Sequence, residues 1–144
     1  MDRYIEFVTN HWMLFIALCA VTVLLIQDLL ESALNTFTAL TPIGAVTQMN
    51  NDETVIIDVS EEHEFAKGHI KNAINIPLGK IDQNNKDLLK YKNTPVIVVC
   101  QTGTRSTPAC KTLTKLGLEK VFNLTGGMQS WKENNLPFEI KKKK

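Results

Sequence analysis

Four β-branched residues, Val96-Ile97-Val98-Val99, follow Pro95 and run without a polar break into Cys100. An apolar run that short and continuous suits a strand covered on both faces, the usual condition of a parallel sheet flanked by helices. Parallel strands need helical crossovers, so this segment alone predicts an α/β fold. In such sheets ligands bind beyond the carboxyl ends of the strands, and Cys100 stands at that end. The polar loop Gln101-Thr102-Gly103-Thr104-Arg105-Ser106 comes next. Gly103 permits a tight turn, and Ser106 or Thr107 followed by Pro108 supplies an N-cap and a first-turn proline for a helix to about residue 116.

Loop N–H groups curling toward a sulfur, a helix start and Arg105 would all favour the charged form of the thiol. Cys100 is therefore expected to be a nucleophile rich in thiolate. The plainer alternative is an inert cysteine buried after a core strand; the glycine and arginine that follow set it aside.

At 144 residues the chain is expected to hold one compact domain and a little more. A formal net charge of +1 provides no basic field for nucleic acid. The odd set of Cys19, Cys100 and Cys110 argues for free thiols and against a disulfide framework. His11, His63 and His69 make no metal-site spacing with them, so neither a metal nor another cofactor is expected.

Residues 7–27 form a charge-free run of 21 residues, and a membrane-spanning helix needs about 20. Asp2, Arg3 and Glu6 do not make a basic leader, and no small-residue cleavage site follows Ile26, so a retained span is expected and not a signal peptide. A core helix that is apolar all round belongs in a larger protein. Ile26, Leu29, Leu30, Ala33, Leu34 and Phe37 carry an apolar stripe onward, which would dock on the soluble domain, on a second copy or on a membrane-protein partner. The expected division is residues 1–38 as the span and its extension, 39–140 as the soluble domain and 141–144 as a solvated lysine tail, which would reach anionic lipid if the domain faces the cytoplasm.

Within the domain, residues 36–41 read as a linker and 43–49 as a short helix. Residues 54–59 read as a strand, then Ser60 as N-cap of a helix over 61–67. A short strand is expected at 73–77, one helix within 81–92, a last strand at 121–124, and a final helix opened by Gly126-Gly127 and running through Trp131.

Taken in order, Ile57-Asp58-Val59, Glu64-Phe65, Gly68-His69-Ile70 and Ala73-Ile74-Asn75-Ile76-Pro77 resemble the opening signature of rhodanese domains. Cys100 to Ser106 resembles their active loop, and Leu124-Thr125-Gly126-Gly127 with Trp131 resembles their closing signature. An N-terminal span before one such domain is similar to single-pass rhodanese-like proteins of the bacterial inner membrane. The resemblance implies a small parallel-sheet domain with helices on both faces. It also implies a sulfurtransferase or persulfide carrier in which Cys100 and Arg105 are catalytic and Gln101, Thr102, Gly103, Thr104 and Ser106 hold the sulfur. A small molecule or a protein would supply the sulfur and another would accept it, at a lipid bilayer. Asp58, Gly68 and His69 fall on positions that tie loops to the sheet. Many members carry basic residues where this chain has Ser60 and Gln101, which tells against thiosulfate, a dianion, as preferred donor. Cys110 and Trp131 read as packing residues.

Two alternatives stand beside this reading: a non-catalytic interaction module at the membrane, and a cysteine phosphatase or arsenate reductase. The phosphatase pattern resembles Cys-x5-Arg, whereas four residues separate Cys100 from Arg105. Only Arg3 precedes the span and no Lys or Arg follows it until Lys67, which by charge leans toward a cytoplasmic N-terminus. A reactive thiol persists best in a reducing compartment, and on that ground the soluble domain is expected on the cytoplasmic side.

Overall fold

A computed structural model of the chain describes residues 6, 10–34, 37–82 and 85–141. The chain divides into two units near Asn35. In the first, helix α1 (Trp12–Leu34) runs for 23 residues, about 34 Å at 1.5 Å per residue. The apolar side chains described on it are exposed all round, among them Leu14, Ile16, Leu18, Val21 and Leu24. Among the described residues no helix is long and apolar enough to cross a membrane. The uncharged part of α1 before Asp28 is 16 residues, about 24 Å against a hydrocarbon core of about 30 Å. Phe7, Val8 and Thr9, which begin the expected span, lie outside the described residues, as do 142–144 of the lysine tail.

The second unit is built on five parallel strands: β1 (Thr38–Leu40), β2 (Val55–Asp58), β3 (Ile74–Asn75), β4 (Val96–Val99) and β5 (Val121–Leu124). Their order across the sheet is β1-β5-β4-β2-β3. The β-branched run is the central strand, in register Val55↔Val96 to Asp58↔Val99 on one side and Val96↔Val121 to Val98↔Asn123 on the other. All four of its residues are buried. Alternation sends Val96, Val98 and then Cys100 into a cluster with Ile57, Ala109, Cys110 and Leu113. Ile97 and Val99 enter a second cluster with Ala45, Leu124, Met128 and Trp131. Helices α4 (Asn85–Leu88) and α5 (Ser106–Lys115) supply the first cluster, and α2 (Pro42–Asn51) and α6 (Gly127–Glu133) the second. The sheet is thus sandwiched between helices, as the β4 run requires.

Several local expectations change. The supposed linker contains β1, which pairs with β5 from Thr38↔Phe122 to Leu40↔Leu124; three residues are too few to show alternation. Ser60 does not cap α3 (Glu62–Lys67): its hydroxyl oxygen accepts from Gln101 Nε2 at 3.4 Å and its N–H donates to the Asp58 carboxylate at 2.9 Å, while the cap is Glu61, whose own N–H donates to Glu64 Oε2 at 3.0 Å. The region 81–92 is not one helix but α4 and a 3₁₀ turn, Leu89–Tyr91. Helix α5 begins at Ser106 after an Arg105 that makes no side-chain cap bond. The Ser106 hydroxyl instead turns back to donate to the Gly103 carbonyl at 3.0 Å.

Candidate active site

Where β4 stops, Cys100 is wholly buried. The chain then folds over its sulfur, and the Gly103 N–H donates to Sγ at 3.0 Å. That geometry needs Gly103 at φ +88°, in the region favouring glycine. The Cys100 thiol reaches the Ser106 hydroxyl at 3.5 Å, and Ser106 and Thr107 both donate to the Gly103 carbonyl, at 3.0 and 3.2 Å. The hydroxyls thus fix the peptide whose neighbouring N–H points at the sulfur.

The base of the loop rests on α6. Met128 N–H donates to the Cys100 carbonyl at 2.8 Å and Gln129 N–H to the Gln101 carbonyl at 3.0 Å. Gly127, at φ +58°, lies so close that a Cβ there would press into the Cys100 carbonyl oxygen. The Gly126-Gly127 pair therefore does more than open a helix: it lets the helix N-terminus meet the loop backbone.

The predicted site residues gather around this loop with different partners. Gln101 Nε2 donates to Ser60 Oγ at 3.4 Å, and the Thr102 and Thr104 hydroxyls lie 2.8 Å apart on the exposed tip. Arg105 does not turn to the sulfur with its terminal nitrogens. It grips Glu64 in a two-bond fork, Nη1 to Oε2 at 2.7 Å and Nη2 to Oε1 at 2.9 Å. The guanidinium holds the Glu64 carboxyl well below the usual carboxylate range, at about 2. The stability this pair contributes is present above the ordinary carboxylate pKa and is lost only as the pH falls toward that value. Sequence reasoning placed Glu64 in a signature but missed its partner, which lies 41 positions along the chain.

Asp58 is buried beside β4, and burial pushes its carboxyl up, against the bonds it receives from Ser60. Asn75 Nδ2 donates to the Asp58 and Ser60 carbonyls at 3.1 and 2.8 Å, tying the neighbouring loop to the sheet. The His69 ring stacks on Phe65 at 3.8 Å, and its Nδ1 lies 2.8 Å from the Phe65 carbonyl. A surface cavity of about 540 Å³ is lined by Phe65, His69, Ala73 and residues 139–141, and none of the Cys100 loop lines it. Among the described residues no group of three or more His, Cys, Asp or Glu is placed to hold a metal ion.

Cys110 lies in the core on α5, its thiol 3.7 Å from the Phe122 carbonyl, and burial pushes its pKa up to about 12. It carries almost no thiolate at neutral pH. Cys110→Ser is expected to keep sulfur transfer within about twofold of wild type while costing about 1 kcal/mol of stability. Steady-state rates and a urea midpoint check this, and a loss of activity would make the second thiol part of the chemistry.

The family described as the rhodanese-like domain matches residues 43–134. The protein YibN of Escherichia coli (strain K12) is 33% identical over 138 residues, 95% of this chain and 96% of that protein. YrkF of Bacillus subtilis (strain 168), provisionally named a sulfur carrier protein, is 35% identical over 85 residues, 58% of this chain and 45% of that protein. Among solved structures, a rhodanese-related protein from Thermoplasma volcanium superposes with a TM-score of 0.65 at 30% identity, over 72% of this chain and 99% of that one.

Proposed function

The chain belongs to the rhodanese-like domain family, and from that premise we propose that it moves sulfane sulfur, taking one atom onto Cys100 as a persulfide and passing it to a thiophilic acceptor. The observation that carries this reading is the Cys100 sulfur at a strand end with the Gly103 N–H aimed at it from 3.0 Å. A loop that donates to a sulfur stabilises negative charge there, which is what a thiolate nucleophile and a bound persulfide both need. In the first half-reaction the thiolate attacks the outer sulfur of the donor. A new S–S bond forms as the donor's breaks, and the electron pair leaves with the donor fragment. An acceptor thiolate then removes the same sulfur and restores Cys100. In this reading Gln101, Thr102, Gly103, Thr104 and Ser106 hold the outer sulfur, and Arg105 shapes the loop through Glu64. A phosphatase reading is less favoured, because the loop is one residue short of that pattern and its guanidinium is already engaged.

The same proposal makes the N-terminal unit a membrane anchor. The charge-free run of 21 residues and the exposed apolar side chains all round α1 support it. The domain then faces the cytoplasm, where thiols stay reduced, and α1 offers its stripe to lipid, to a second copy or to a membrane-protein partner.

One preparation tests both parts. Membranes from cells expressing the full chain are washed with carbonate, and the protein is extracted in detergent, treated with a sulfane donor and weighed intact. The expected result is retention in the washed pellet and a gain of about 32 Da, one sulfur atom. Release by the wash would overturn the anchor, and no mass gain with any sulfane donor would overturn the sulfur reading.

A further inference from the structure

Arg105 is the only cation in residues 100–106, and Glu64 occupies both of its terminal nitrogens at 2.7 and 2.9 Å. Glu64 Oε2 also accepts the Glu61 N–H at 3.0 Å. A carboxylate gripped by three donors is fixed in place, so the guanidinium opposite it is fixed too and its charge is matched at contact distance. The pair sits at the water boundary, with side-chain exposures of 34% for Arg105 and 26% for Glu64. Glu61 and Glu62 stand at the same helix start, Glu62 paired with Lys80 at 3.3 Å. Across the loop, the contact between Gln101 and Ser60 is neutral. The loop therefore carries no uncompensated positive charge.

Building on the sulfur-transfer reading, we propose that Glu64 is a specificity-determining residue that cancels the charge of Arg105 and so selects sulfane donors of low negative charge, the persulfides of thiols, over the thiosulfate dianion. The favoured transfer is Cys100–S⁻ + R–S–SH → Cys100–S–SH + R–S⁻. The proton stays on the sulfur that moves, the electron pair leaves with the donor thiolate, and the charge is −1 on each side. With thiosulfate the thiolate must meet a second and a third negative charge, and sulfite leaves with two of them. A free guanidinium would offset that repulsion; one held by Glu64 does not.

The test uses the full chain and two donors of the same outer sulfur, thiosulfate at charge −2 and methanethiosulfonate at −1. Glu64→Gln keeps an oxygen for Arg105 and removes the charge. The ratio of kcat/KM for thiosulfate to that for methanethiosulfonate is expected to rise about fivefold, through KM, and the gain is expected to shrink at high salt. Arg105→Gln leaves Glu64 unmatched and is expected to lower the ratio below wild type, and the double variant is expected to restore it. Opposite shifts in the two single variants are not what a latch of purely structural value produces. An unchanged ratio in both, or an equal loss with both donors, would overturn the role of Glu64 while leaving sulfur transfer standing. Failure of the wild-type chain to take sulfur from either donor or from a thiol persulfide would overturn the underlying reading instead.

Discussion

Cys100→Ser is expected to abolish sulfur loading, bringing the mass gain below detection while the domain stays folded. The reason lies in what serine keeps and loses at that position. Its hydroxyl can accept the Gly103 N–H and donate to Ser106 Oγ, the two partners the sulfur has now. The loop therefore retains its hydrogen bonds, and exchanging a buried thiol for a hydroxyl costs about 1 kcal/mol. What disappears is the nucleophile, since a hydroxyl at its ordinary pKa does not attack without a base. His69 is not that base, because it faces the surface cavity that no residue of the Cys100 loop lines. Intact mass after donor treatment and a thermal melt check both halves. A Cys100→Ser protein that still gained sulfur would move the carrier role to Cys19 or Cys110.

Gly127→Ala is expected to cost nearly as much activity by a different route. Gly127 sits at φ +58°, and a Cβ would meet the Cys100 carbonyl oxygen, with the Gln101 carbonyl carbon and oxygen at 2.8 and 2.9 Å. These are backbone atoms of the loop that holds the sulfur, so relief means moving the loop. The left-handed conformation costs a non-glycine residue roughly 1–3 kcal/mol, and overpacking adds a similar amount. The sum of about 4 kcal/mol is a large share of a domain stability of about 5–15 kcal/mol. Gly79→Ala is the control, because a Cβ there meets nothing within 4 Å. The expectation is a fall in urea midpoint and in sulfur loading for Gly127→Ala and neither for Gly79→Ala. A Gly127→Ala protein with a wild-type midpoint and full loading would show that the loop yields freely at this contact.

The central strand and its loop were legible because their signals are local. Four β-branched residues, a cysteine and a glycine in sequence determine a covered strand and the turn after it. The missed features depend on partners far along the chain. Thr38–Leu40 becomes a strand because β5 offers it a ladder, and nothing in three residues announces that. Ser60 has the chemistry of a cap, but its hydroxyl oxygen meets Gln101 Nε2, 41 positions along the chain, and the cap falls to Glu61. The Arg105–Glu64 fork joins residues 41 positions apart, a separation that no helical or strand period reaches. Gly126-Gly127 signals the opening of a helix, and that helix is present; what lies against it, the Cys100 carbonyl, is a matter of tertiary approach.

The edge position of β1 bears on how the sheet-bearing unit of this chain can be handled. The family match begins at Ile43, and a fragment cut there would leave out Thr38–Leu40 together with Thr41, whose side chain caps α2 by accepting the Gly44 N–H at 3.1 Å. It would also lose the bond from Thr125 N–H to the Leu40 carbonyl, 2.8 Å long and immediately before the glycine pair. β5 would become an open edge with a row of unpaired backbone groups, a template for another copy to pair on. Such a fragment is expected to aggregate and to present a loosened loop, so a weak activity measured on it would describe the cut. A fragment that begins at or before Phe37 retains the strand that covers β5.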